Sequence, residues 1–333
     1  NVLVENEPGT AALECQFMGP TLKFDSNRTI AITGADMSPK VDGTPVPLWE
    51  SIEVKKDQTL EMSFATIGAR SYIAFSGGIN TNPWLGSRST FHKAGVGGIE
   101  GKAIQDGQIL PLNKSKAVGE RKIKKTSIPV MSTNKKWSVE VVKGPNDDWV
   151  DEKGHKMFLS SNWKLQSKSD RTGYRLEGPK WSFTEKATNK GLEHGTFPSN
   201  IIDQGYPMGA INLAGQTPII LVNDGPSMGG FIVPYTVPSA SFWKLGQAKP
   251  GDIFNFMEIS VEKAQELRAE QSAICSEASL LFSKKENILT DKPTIKIDNI
   301  KIVDFDKEKM NEKIKSKIME KRGMKNIKVK FFD

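Results

Sequence analysis

One order of short apolar runs and glycine punctuation occurs twice along the chain, and this duplication constrains the fold more than any single motif. In the first half, Gly19-Pro20-Thr21-Leu22-Lys23-Phe24 precedes the runs Thr29–Thr33, Thr59–Ala65 and Ser71–Phe75, then Gly77-Gly78, and closes on Gly107-Gln108-Ile109-Leu110. In the second, Gly178-Pro179-Lys180-Trp181-Ser182-Phe183 precedes Met208–Ala214 and Thr217–Val222, then Gly229-Gly230, and closes on Gly251-Asp252-Ile253-Phe254. Short runs with Gly and Pro between them read as strands of antiparallel barrels, not of a doubly wound sheet. The expected fold is mainly β, with two similar antiparallel β-barrel domains over residues 1–125 and 137–258 and few helices. The stretch 112–136 is polar, lysine-rich and without periodicity, and marks the boundary. Beyond the second domain, a helix is expected within 259–285 and a C-terminal α/β extension over 296–333.

Helix signals are sparse. One helix is predicted from Asn146, with acidic residues in its first turn and His155 on its surface. Another begins after Ser260, carries Ala264, Leu267, Ile274, Ala278 and Leu281 on one face, and ends near Phe282. In the extension, a strand over KIVDFD, a helix from about Lys307 to Arg322 and a last strand over NIKVKFF are expected.

Charge is concentrated at the C-terminal end. Of the net charge of +7, residues 301–333 contribute +5, through eleven Lys plus Arg against six Asp plus Glu. The helix there reads as a solvated face with one narrow apolar stripe, and no aromatic interleaving supports nucleic-acid binding. No run approaches the roughly 18–20 apolar residues of a membrane span, so neither nucleic acid nor membrane is an expected partner. Two distant cysteines, Cys15 and Cys275, fit a reducing compartment, and a cytoplasmic protein is expected. The three histidines, His92, His155 and His194, have no metal-ligand spacing, and no metal site is expected.

The segment Phe197–Phe231 carries the densest chemistry. Its runs Met208–Ala214 and Thr217–Val222, split by Gly215-Gln216, predict a hairpin of buried strands. Ser199, Asn200 and Asp203 precede it, and Asn223-Asp224-Gly225-Pro226-Ser227 leads into Gly229-Gly230, where backbone can approach a ligand closely. The plainer alternative is a turn followed by a bulge. Arg88 lies between Ser87 and Ser89 in a glycine-bounded loop suited to a carboxylate or phosphate; pairing with Asp36 or Glu100 is the structural alternative. Arg171 lies near Tyr174, Arg175 and Glu177, in a segment open to substrate binding or to an internal ion network. Lys244, just after the Gly-Gly segment, is a candidate proton carrier or oxyanion partner.

These segments together resemble the carboxyltransferase domain, subdomains A and B, of urea carboxylase, the family also called allophanate hydrolase subunit 2 and including the C subunit of 5-oxoprolinase. The resemblance rests on FPSNIIDQGYPMGAINLAGQTPIILVNDGPSMGGF from Phe197 and SFWKLGQAKPGDIF from Ser241. It extends to Gly9–Glu14, Ala31–Asp36, Leu85–Thr90 with GVGGIEGKAI after it, and Ser169–Pro179. It implies that both β domains have cyclophilin-like barrels. Family members carry about 40 further residues before this point, including a helix that Asn1 enters midway, without cap or first turn. Urea carboxylase-type members have His-Pro-Ser-Asn where this chain has Phe197-Pro198-Ser199-Asn200, which removes a titratable ring from the implied site and argues against urea itself as substrate.

The resemblance implies one subunit of a multi-subunit enzyme acting on an amide or urea-like compound. Carboxybiotin, carried on another chain, would give its carboxyl group to a substrate nitrogen. Backbone N–H groups around Gly229 and Gly230 would meet the developing oxyanion, with Ser227 beside them. Asn200, Asp203 and Asp224 would orient the amide, Lys244 would carry the proton, and Arg171 and Arg88 would bind substrate. A partner with subdomains C and D would complete the site, so the isolated chain is expected to be inactive; a biotin carboxylase or a lactam-utilisation protein is a further expected partner. Two alternatives keep the fold: the C subunit of a 5-oxoprolinase, using ATP through the complex and no biotin, and a non-catalytic regulator that binds an inhibitor related to the C/D partner. No nucleotide or biotin-attachment motif is present: Gly101-Lys102 lacks the rest of a phosphate loop.

Overall fold

The computed structural model describes residues 1–283, 294–296 and 329–332. The chain divides into two compact units, residues 1–130 with 274–333, and residues 131–273. The helix expected over Lys307–Arg322 and the strand over KIVDFD lie outside the described residues.

In the first unit, strands form two sheets around one core. One sheet runs in the order Val329–Phe332, Ala12–Gln16, Ile67–Phe75, Arg28–Asp36, Ser51–Val54. The other runs Thr44–Pro45, Lys40–Val41, Thr59–Glu61, Thr21–Phe24, Thr294–Lys296, Ile109–Pro111. Alternate residues of both sheets meet in the core, including Leu13, Ile30, Ile32, Ile73 and Phe75 from the first and Leu22, Phe24, Leu60 and Leu110 from the second, as the period-two placement of strand side chains requires. Within the lysine-rich stretch read as a boundary, Arg121–Ile123 is a strand paired with Leu280–Ser283. Arg121 is buried there; its guanidinium donates to Val2 O at 2.8 Å and pairs with Glu5 at 2.7 Å.

The second unit contains nine strands, β1 (Lys136–Lys143), β2 (Trp163–Leu165), β3 (Gly173–Glu177), β4 (Asn200–Gly205), β5 (Ala210–Ala214), β6 (Thr217–Leu221), β7 (Met228–Phe231), β8 (Tyr235–Thr236) and β9 (Ile253–Glu258). Seven of them close a barrel in the order β1-β8-β5-β6-β3-β2-β9. The predicted hairpin is present as β5 and β6, with Ala214 opposite Thr217 across a turn where Gly215 has φ +66°. The barrel is not wholly antiparallel as expected: β9 closes on β1 in parallel, Lys136 opposite Ile253 through Val141 opposite Glu258. The first and last strands of the unit both leave in the same direction, which a hairpin could not achieve.

The helix expected from Asn146 is broken. Asp147–Trp149 is a 3₁₀ turn, Val150 is extended, and α1 (Glu152–Ser160) starts afresh because the Asp151 carboxylate accepts from Gly154 N at 2.7 Å. Phe158 of α1 is fully buried and stacks on Tyr235 at 4.7 Å and Phe256 at 4.6 Å. His155 is half-buried, not a surface residue as expected. Its Nε2 faces Asp147 O at 2.9 Å, which makes Nδ1 the acceptor for the Tyr235 hydroxyl at 2.8 Å. Three more helices are α2 (Glu185–Thr188), α3 (Phe242–Gln247) and α4 (Val261–Ile274). The last stops eight residues short of Phe282, because Ser276 caps a 3₁₀ turn and Leu280 enters a strand.

Trp163 is fully buried, and a Cβ on Gly178 would lie 2.4 Å from its Cε3 and 2.6 Å from its Cζ3. Gly178→Ala is therefore expected to destabilise the second unit by about 1–3 kcal/mol through overpacking. Urea unfolding checks this: the midpoint should fall with the slope unchanged.

Candidate functional site

Of the residues expected at the site in the second unit, Asn200, Asp203, Gly229 and Gly230 lie on a two-stranded ribbon outside the barrel, β4 paired antiparallel with β7. Asn200 faces Phe231, Gln204 faces Gly229 and Gly205 faces Met228, with a register shift between Asn200 and Gln204. Residues 201–203 thus bulge opposite Gly230 alone. A Cβ on Gly230 would approach Ile201 O at 3.0 Å and Asp203 Oδ1 at 3.6 Å. The bulge therefore lies on β4, and the glycine it needs lies on β7. Asp203 is exposed, and no ion pair to it occurs among the described residues. Ile202, Met228 and Phe231 are also exposed along the ribbon.

Gly229 has a different reason to be glycine. A Cβ there would stand 2.7 Å from Cε2 of Tyr206, whose ring lies over it. The Tyr206 hydroxyl accepts from Phe231 N at 2.7 Å and donates to Phe231 O at 3.0 Å, holding the end of β7. Burial pushes this phenol's pKa up, while its bonds to Phe231 and Asn212 oppose the rise. Ser227, exposed, opens β7, and its carbonyl accepts from Tyr206 N at 2.7 Å.

Two polar residues fasten the ribbon: Asn146, which sequence reasoning read only as a helix start, and Ser199, which it singled out beside Asn200. Asn146 Oδ1 accepts from Gln204 Nε2 at 2.7 Å and from Val233 N at 2.9 Å. Ser199, fully buried, accepts from Gly215 N through its hydroxyl at 3.1 Å and from Ile232 N through its carbonyl at 2.9 Å. Asn146 lies 58 residues from Gln204 in sequence, and no local pattern announces such a contact.

Asp224 and Arg171 are brought together. Arg171 Nε lies 3.3 Å from Asp224 Oδ2, and Asp224 N donates to Arg171 O at 2.8 Å. The Asp224 side chain is 8% exposed and that of Arg171 15%. This is a nearly buried, reciprocal pair across two loops, the ion-network alternative for Arg171. Arg175 turns elsewhere, donating to Lys168 O at 3.0 Å.

Lys244 is likewise engaged. Its ammonium meets both Glu140 oxygens, at 2.7 and 2.6 Å, and Ser138 O at 2.8 Å, so its three N–H groups are accounted for. The pair joins α3 to β1. Burial would raise the Glu140 pKa, but the bonds from Lys244 and Ser241 outweigh it and the carboxyl titrates below its ordinary value. In the first unit, Arg88 donates through Nη1 to Thr81 O. His194, three residues before Phe197, accepts through Nδ1 from Ile202 N at 3.3 Å.

Among the described residues, no group of three or more His, Cys, Asp or Glu is arranged to hold a metal ion, and no helix is long and apolar enough to cross a membrane.

The chain belongs to the family described as "Carboxyltransferase domain, subdomain A and B", matched over residues 1–258. It is 38% identical to the urea amidolyase of Saccharomyces cerevisiae over 81% of this chain and 15% of that protein. It is 31% identical to the C subunit of 5-oxoprolinase from Escherichia coli over 81% of this chain and 82% of that protein. The crystal structure of the Kluyveromyces lactis urea carboxylase superposes with a TM-score of 0.77 at 29% identity, over 99% of this chain and 33% of that one. The chain thus spans a small part of the urea amidolyases it matches and most of the 5-oxoprolinase subunit.

Because the Glu140 pKa is lowered on folding, its contribution to stability is present above the ordinary glutamate pKa of about 4.3 and is lost as pH falls through the lower folded value. Unfolding free energy is expected to drop on acidification below about pH 4.3, and Glu140→Gln should flatten that part of the profile. An unchanged acid limb in Glu140→Gln would show that the pair adds nothing there.

Proposed function

We propose that this protein is the A/B half of a cytoplasmic carboxyltransferase that moves a carboxyl group to the nitrogen of an amide or urea-like substrate, with the β4–β7 ribbon as its substrate surface. The observation that carries this reading is the bulge, which sets the exposed Asp203 carboxylate beside Gly230 and on the same strand as Asn200. In this reading Asn200 orients the substrate amide by hydrogen bonds, and Asp203 accepts the proton that leaves the substrate nitrogen. Backbone around Gly230, with Ser227, faces the developing oxyanion. The Lys244 ammonium, bonded to Glu140, serves as a fixed positive charge rather than a proton carrier. Asp224, paired with Arg171, holds the loop that delivers Ser227. Arg88 is an anion-binding group of the first unit.

The family implies biotin on another chain or domain. The exposed Met228 side chain would offer apolar contact to one face of a flat ureido ring system. Biotin would supply the activated carboxyl group, and this contact would hold its ring. A partner with subdomains C and D would complete the site, and a biotin carboxylase would charge the biotin.

A second reading, the C subunit of an ATP-dependent 5-oxoprolinase, is favoured by length: the chain spans 82% of that Escherichia coli relative. Its expected neighbour is a lactam-utilisation protein.

The test is reconstitution with a C/D partner and a carboxylated biotin carrier, following carboxylation of small amides. Asp203→Asn is expected to lower kcat by at least about 100-fold. Unchanged kcat would remove Asp203 from the mechanism. Hydrolysis of ATP dependent on 5-oxoproline, without biotin, would decide for the second reading.

A further inference from the structure

The loop between α2 and β4 folds back on Asn200 from two directions. Lys190 Nζ donates to Phe197 O and to Asn200 O, both at 2.5 Å, while Asn200 N closes the same turn on Phe197 O at 2.9 Å. Gly195, at φ +82°, passes so near the Asn200 side chain that a Cβ would lie 2.8 Å from Nδ2. The backbone carbonyl and the side-chain amide of Asn200 are both set by one loop of eleven residues.

Lys190 is itself placed by an aromatic ring. Its ammonium stands 5.4 Å from the centroid of Trp149, a ring 8% exposed, and cation–π attraction adds to the two carbonyl bonds. His194 lies against the same indole at 5.9 Å and takes the Ile202 N–H. Burial lowers the Lys190 pKa. A lysine present only to cover apolar surface with its stem would leave its head in solvent; this one spends its charge on two carbonyls of the turn that starts β4.

We propose that Lys190 is a positioning residue that acts through Asn200, fixing where the Asn200 amide meets the substrate; the role rests on the reading of the β4–β7 ribbon as the substrate surface. Misplacing a substrate-contacting group by about 1 Å costs up to about 100-fold in rate. Lys190→Met keeps the stem over Trp149 and removes the donors. Lys190→Arg keeps a cation that can reach both carbonyls.

The experiment is a double-mutant cycle in the reconstituted complex, joined to hydrogen exchange on the full chain. Lys190→Met is expected to lower kcat/KM by about tenfold, Lys190→Arg to recover most of it, and Lys190→Met in an Asn200→Ala background to cost nothing further. Amide exchange over residues 197–203 should rise at least about tenfold in Lys190→Met, with the barrel strands unchanged. Additive losses with Asn200→Ala, or unaltered exchange in 197–203, would overturn the role of Lys190. Asn200→Ala with full activity, together with the exchange change, would instead refute the ribbon as substrate surface and leave the brace standing.

Discussion

The parallel pairing of β1 with β9 is the constraint on which the second unit depends. These strands begin and end the barrel in sequence, and every other barrel strand lies between them along the chain. Their register is fixed at its start by side chains: Trp137 Nε1 donates to Asp252 Oδ2 at 2.8 Å, and Lys249 N donates to the same oxygen at 3.0 Å. Asp252 thereby shapes the turn that feeds β9, and Ile253 N bonds Lys135 O just before β1. Parallel neighbours need a long connection, so the intervening chain is free to carry elements that are no part of the barrel. The β4–β7 ribbon is such an element.

A two-stranded ribbon alone is marginally stable in water. Here it is secured by a half-buried asparagine and a buried serine. Asn146 joins Gln204 of the ribbon to Val233 of the barrel lead-in, and Ser199 joins the start of β4 to the Gly215 turn and to Ile232. These acceptors answer backbone and amide N–H groups of the ribbon and its flanks, and a buried donor left without a partner costs about 1–3 kcal/mol. The ribbon is therefore a surface element held like a core element, which is the condition for a precise site.

Much of the architecture could be read from the sequence because it is local. The hairpin of β5 and β6 follows from two apolar runs around Gly215, and the strands of both units follow from the repeated Gly-Pro and Gly-Gly punctuation. The break before α1 was hidden because Asp147, Asp148 and Asp151 all suit a helix start, and only the bond from Gly154 N selects Asp151. His155 was hidden for a similar reason: its partner Tyr235 is 80 residues away. Site residues fared the same way. Their identities stood out as small polar and glycine residues, whereas the pairings of Arg171 with Asp224, across 53 residues, and of Lys244 with Glu140, across 104, are products of the fold.

Those pairings sort the charges of the second unit by burial. A carboxylate removed from water needs a partner or it takes up a proton. Asp224, 8% exposed, has Arg171; Glu140, 16% exposed, has Lys244 and Ser241. Asp203 stays in solvent on the bulge and needs none. The acids most shielded from water are thus committed to holding loops and helices in place, and the acid that the bulge sets beside Gly230 is an exposed one. The two glycines of the ribbon divide in the same manner, Gly229 giving its space to the Tyr206 ring and Gly230 to the bulge. Neither is spare, so what the ribbon presents to solvent is its outer surface and the exposed edge of Asp203.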